Sequence, residues 1–150
     1  MSTARDEITE LLFCYAERID AGDFEGLADL FTHAEMTFAG YDQVCSGRQE
    51  VLARYASSTR RYEDDGTPKT KHVMTNVIVA VDELNDTATS RSYFTVLQAV
   101  AGTLGLQVII AGRYEDRFEL AESSWRFTSR HVMVDLVGDL SAHLLFDLGR

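Results

Sequence analysis

The chain has 150 residues, with 14 lysines and arginines against 24 aspartates and glutamates and a formal net charge of −10. That surplus repels phosphate backbones and anionic bilayers, which argues against nucleic acid or membrane as a partner, and no apolar run reaches the roughly 20 residues that span a bilayer. A chain of this size buries about 68–70% of its unfolded surface, enough for one domain without staples. The N-terminus, Met1 to Glu7, lacks the apolar core of a signal peptide, and only Cys14 and Cys45 are present, so a reduced, cytoplasmic protein is expected.

Ile8, Leu11, Leu12, Tyr15 and Ile19 recur at helical spacing and predict an amphipathic helix from about Arg5 to Ala21, ended by Gly22. Asp23 is placed to cap a second helix through Phe31. Glu35 to Ala39 reads as a short strand, Gly40 to Gly47 as a loop, and the stripe Val51, Leu52, Tyr55, Ala56 as a third helix ending at Arg60. The polar stretch Arg61 to Lys71, with the only proline, reads as a mobile loop. Four long strands follow, His72 to Val81, Thr87 to Val100, Leu106 to Leu120 and Trp125 to Val137, joined by hairpin-like connections. Helices first and an antiparallel meander second make an α+β protein. In the first long strand, Val73, Thr75, Val77, Val79 and Val81 alternate onto a face too apolar for water, which predicts self-association.

Asp20 falls in the last turn of the first helix, where the helix dipole disfavours a carboxylate by about 0.3–1 kcal/mol. Such a position implies a partner, and His72 at the entrance of the first long strand is the candidate: a carboxylate that orients an imidazole makes a general base. Tyr15, Phe31, Tyr55, Asn76 and Tyr114 are candidates to line an apolar pocket; for Phe31 and Tyr114 core packing is the stronger reading, while Asn76 reads as two pleats inward from His72. His33, His131 and His143 have no carboxylate or cysteine at useful ligand spacing, and neither HExxH nor a CxxC pair occurs, so no metal site is expected. There is no Gly-x-Ser-x-Gly elbow for a nucleophile, and Gly102 and Gly105 sit in a hairpin rather than a phosphate loop.

The order Tyr15, Asp20-Ala21-Gly22-Asp23-Phe24, Leu30-Phe31, His72, Gly112 to Phe118, Trp125-Arg126-Phe127 and Arg130 resembles the SnoaL-like branch of the NTF2-like superfamily over almost the whole chain. The resemblance implies a cone, a curved antiparallel sheet wrapped around N-terminal helices, with an apolar pocket at its open end, usually in dimers or trimers. Asp20 and His72 look like the Asp/His pair of cofactor-free lyases in this branch, among them scytalone dehydratase and the hexachlorocyclohexane dehydrochlorinase. Arg130 resembles the pocket arginine of the latter. Tyr15 stands where the dehydrochlorinase has a lysine, and Thr87 to Val100 lacks the second histidine of scytalone dehydratase, so neither substrate carries over. The expected function is a lyase or isomerase without cofactor, acting on a small hydrophobic cyclic or polyketide-like molecule, with His72 as base, Asp20 as its orienter and Arg130 or Asn76 stabilising negative charge. The alternative is a non-catalytic small-molecule-binding or assembly module on the same fold. A third reading, an epoxide hydrolase using carboxylates and arginine, leaves His72 without a role.

Overall fold

The computed structural model describes residues 1–148. Helix α1 spans Ala4–Asp20, opened by a reciprocal cap in which Thr3 and Asp6 bond each other's backbone amides, a signal the apolar stripe alone does not show. It ends in a Schellman turn: the Gly22 amide donates to Ile19 O and the Asp23 amide to Arg18 O, with Gly22 at φ +74°. Asp23 caps α2 (Phe24–Asp29) through the Gly26 amide. Strand β1 (Glu35–Phe38) follows, and the expected loop after it contains a three-residue strand, β2 (Val44–Ser46), too short for alternation to register. Helix α3 is Gly47–Ser58.

The stretch read as a mobile loop is a compact turn. The Tyr62 amide bonds Thr67 O, the Gly66 amide bonds Tyr62 O, and Lys69 Nζ bridges Asp64 and Asp65 at 2.6 and 2.8 Å. Four long strands then run as a meander: β3 (Thr70–Asp82), β4 (Thr87–Val100), β5 (Leu104–Ala121) and β6 (Ser124–Val137). The sheet is six-stranded and open, in the order β2-β1-β6-β5-β4-β3, antiparallel except where β1 lies parallel to β6.

Register shifts interrupt all three meander ladders, at Thr75/Ile78, Val96/Leu97, Ala111/Gly112 and Arg117/Phe118 among others. Each adds twist and bends the sheet around the helices. The first corrects the valine row: Asn76 adopts φ +53°, so Val73 and Thr75 stay outside while Val77, Val79 and Val81 turn to the core side. Ile78 and Ala80 take their places outside. In the concave interior, Phe31 stacks on Phe127 at 4.7 Å, Phe127 meets Phe118 at 4.8 Å, and Ile8, Leu12 and Leu27 close the layer from the helices.

Candidate active site

Asp20 sits where α1 stops and β3 starts, and three donors converge on it. Thr70 Oγ1 donates to Oδ1 at 2.8 Å, the His72 amide donates to Oδ2 at 2.7 Å, and His72 Nδ1 lies 2.7 Å from Oδ1. Both side chains are largely buried, His72 at 5% and Asp20 at 10% exposure. Burial opposes ionisation of Asp20, but the hydrogen bonds and charge of His72, with the Thr70 hydroxyl, outweigh it and hold the carboxyl below its ordinary range. An ionised carboxylate only accepts, so the Nδ1 nitrogen of His72 carries the proton of this bond.

His72 lines a cavity of about 120 Å³ between α1, α3 and the concave face of the sheet. Tyr15, Tyr55 and Tyr114 form its aromatic floor, the Tyr15 and Tyr55 hydroxyls bonded to each other, while Phe38, Phe94, Val96 and Ile110 supply apolar walls. Burial pushes the Tyr55 and Tyr114 phenols well above their ordinary pKa, so they remain protonated. The cavity therefore joins an aromatic floor and apolar walls with the His72 imidazole.

Three sequence candidates do not reach this cavity. Phe31 is wholly buried against Phe127 in the core. Asn76 is exposed on the convex face, because the bulge at its left-handed residue turns the strand over before the second pleat. Arg130 lies behind the floor, its side chain without solvent exposure, and donates from Nε and Nη2 to Asp116 at 2.7 and 2.9 Å. Its guanidinium also lies 3.7 Å from the Tyr114 ring centre and 4.3 Å from that of Tyr15. Burial works against this cation, but Asp116 outweighs it and raises the Arg130 pKa above its ordinary value. The pair braces the tyrosines from behind, and sequence reading missed it because Asp116 and Arg130 meet only through the β5–β6 register.

The segment after β6 contributes what the sequence did not announce. Residues 140–148 cross the cavity mouth and bring His143, Leu144, Phe146 and Leu148 into its wall. Arg54, from α3, holds this flap by stacking on Phe38 and Phe146, with ring centres 4.7 and 5.2 Å away.

The family model of the SnoaL-like domain matches residues 1–131, which carry all of this frame except the end of β6 and the C-terminal flap. The chain belongs to the SnoaL-like family. Among solved structures, this SnoaL-like protein is similar to Rv3472 of Mycobacterium tuberculosis, a protein of unknown function. Identity is 27%, over 87% of this chain and 71% of that one, at TM-score 0.69. An NTF2-like protein with a cystatin-like fold from Novosphingobium aromaticivorans is 25% identical over 92% of this chain and 85% of its own, at TM-score 0.70. ActVI-ORFA of Streptomyces coelicolor shares the fold at 18% identity, over 86% and 95% of the two chains, at TM-score 0.68. No curated protein matches the chain. The fold is thus NTF2-like, as the resemblance implied, and among the described residues no helix is long and apolar enough to cross a membrane.

Proposed function

We propose that this SnoaL-like protein is a cofactor-independent lyase or isomerase that removes a proton from a small cyclic substrate. The observation that carries the reading is the Asp20–His72 pair, whose three converging donors fix the carboxylate beside the imidazole in the wall of an apolar cavity. His72 Nε2 would take the proton from a carbon next to a carbonyl or a leaving group. The freed electron pair then forms a double bond as the leaving group departs with its own pair, or the proton returns at another carbon. Asp20 stabilises the imidazolium that forms. Arg130 and Asn76 take no part, since neither lines the cavity.

The cavity's size narrows the class. An apolar cavity of about 150 Å³ takes up benzene, so a cavity of about 120 Å³ is on the scale of a single ring.

Turnover measured on a panel of small cyclic ketones and phenols tests the reading. His72→Ala is expected to lose about 10²–10⁴-fold, the usual contribution of positioned proton transfer. Asp20→Asn should lose activity too, because an amide cannot stabilise the imidazolium. Full turnover in folded His72→Ala overturns this mechanism, and tight binding without conversion by the unaltered protein favours the non-catalytic alternative.

A further inference from the structure

Among the described residues, Arg54 is the one arginine in the wall of the His72 cavity, and no aspartate, glutamate or lysine lines it. The chain carries 24 acidic side chains, yet none is set against this cation. Elsewhere the arginines are matched: Arg48, Arg113, Arg126 and Arg130 each bond a carboxylate, and Arg5, Arg18 and Arg61 donate to backbone carbonyls. The Arg54 guanidinium makes no hydrogen bond or ion pair among the described residues, not even with the exposed Glu50 one turn earlier on α3. The residue is half-buried, and none of its side-chain nitrogens is closed to solvent.

What the guanidinium meets is two rings. Its carbon lies 4.7 Å from the centre of Phe38 and 5.2 Å from that of Phe146, and both phenylalanines line the cavity. Ring faces attract the charge but do not use its five N–H donors as an oxygen does. The side chain is thus held at the cavity by packing, while its hydrogen-bonding capacity is left to solvent or to a ligand. A planar fork held in this way loses less freedom on binding an anion than a mobile surface arginine does.

The shape and number of the charges select the anion. A guanidinium edge matches a carboxylate through two parallel N–H to oxygen bonds. A phosphate group commonly draws on further cations or on a row of backbone amides, and the cavity has no second arginine and no lysine among the described residues. The remaining wall is mainly aromatic and aliphatic around a space of about 120 Å³, the scale of one ring.

We propose that Arg54 is a ligand-binding residue that pairs with the carboxylate of a single-ring acid, the ring itself lying in the cavity beside His72. This rests on the reading of the cavity as the substrate site and adds the charge of the molecule that enters it.

Benzoate, benzamide and toluene, one ring each, are titrated by NMR into the unaltered protein, Arg54→Gln and Arg54→Lys at neutral pH. The unaltered protein should bind benzoate about tenfold more tightly than benzamide, the scale of a charge-assisted hydrogen bond at a partly exposed site. Arg54→Gln should remove that preference while benzamide and toluene stay within about twofold, and Arg54→Lys, which keeps the charge without the fork, should retain part of it. Benzoate should also shift the side-chain ¹⁵Nε resonance of Arg54 in the unaltered protein, a readout that needs no variant to fold. Equal affinity for benzoate and benzamide, a preference that survives in Arg54→Gln, an unmoved Arg54 resonance, or no binding of any probe each overturns the proposal. Equal weakening of all three probes in Arg54→Gln also overturns it, since Arg54 is then only a brace for residues 140–148. Turnover is read separately: His72-dependent conversion of neutral rings without a preference for acids keeps the catalytic reading and removes this one, whereas the preference without any conversion does the reverse.

Discussion

Asp20 shows how one residue's awkward position is matched by its partners. A carboxylate at the C-terminal end of a helix is poorly placed, and three donors from the start of β3 outweigh that penalty by binding it in one orientation. The pair was legible because its clue was local: a misplaced charge just before a glycine, and a histidine opening a strand. Arg130 and His143 were not legible, since one depends on a cross-strand register and the other on an aperiodic tail. His143 also has a consequence for stability. Its folded pKa of about 4 lies below the unfolded value of about 6.5. The unfolded chain thus binds this proton first, and the stabilisation from a neutral His143 is complete above about pH 6.5 and is lost as pH falls towards 4. Asp20, also lowered, keeps its contribution above about pH 3.9 and loses it only as pH falls through its lower folded value. Urea unfolding between pH 7 and 4 should therefore show a steeper loss in the unaltered protein than in His143→Gln. Parallel curves would mean that the two states bind this proton equally.

Among the elements, the turn after α1 and the turn before β3 are built against each other. Gly22 is left-handed, and a Cβ on it would lie 2.0 Å from Gly66 O, while the Arg61 guanidinium stacks on Phe24 with the ring centre 4.5 Å away. Alanine in a left-handed conformation costs about 1 kcal/mol or more, and here the obstacle is backbone, which cannot rotate aside. Gly22→Ala should accordingly lower the urea midpoint by more than that strain alone, and should disturb the Asp20–His72 bond because the displaced turn leads directly into Thr70. An unchanged midpoint would show that the two turns are not coupled. Element types were legible from periodicity, but faces were not. Alternation carried through a bulge is wrong by one residue beyond it, which sent Val77, Val79 and Val81 to the wrong side and Asn76 into a pocket that it does not reach. An asparagine inside a β-branched run was the available signal, because it tolerates the left-handed conformation that a bulge demands.

For the whole molecule, the convex face of the sheet is uncovered among the described residues. Val73 pairs across with Thr95, Thr75 with Tyr93 and Ile78 with Arg91, and the ladder continues from Leu97 to Val108 and from Ala111 to Leu136. Paired residues share a side, so Val73, Ile78, Tyr93, Val108 and Leu136, all 40% exposed or more, lie on one surface. Among the described residues, the C-terminal segment lies on the opposite side, where Leu144 bridges Thr59 and His143, Leu144, Phe146 and Leu148 line the cavity. Monomers rarely leave so broad an apolar patch in water, and we expect a dimer or trimer built on this face. The net charge of −10 makes a second expectation, because like-charged protomers repel one another. Association through the apolar patch should therefore tighten as salt screens that repulsion, whereas an interface held by ion pairs between protomers should weaken. Sedimentation at micromolar concentration, repeated at low and high salt and with Tyr93→Lys, separates these cases. An oligomer that strengthens with salt and dissociates in Tyr93→Lys fits the apolar face. A monomer under all conditions overturns self-association, and weakening with salt moves the interface to the charged residues.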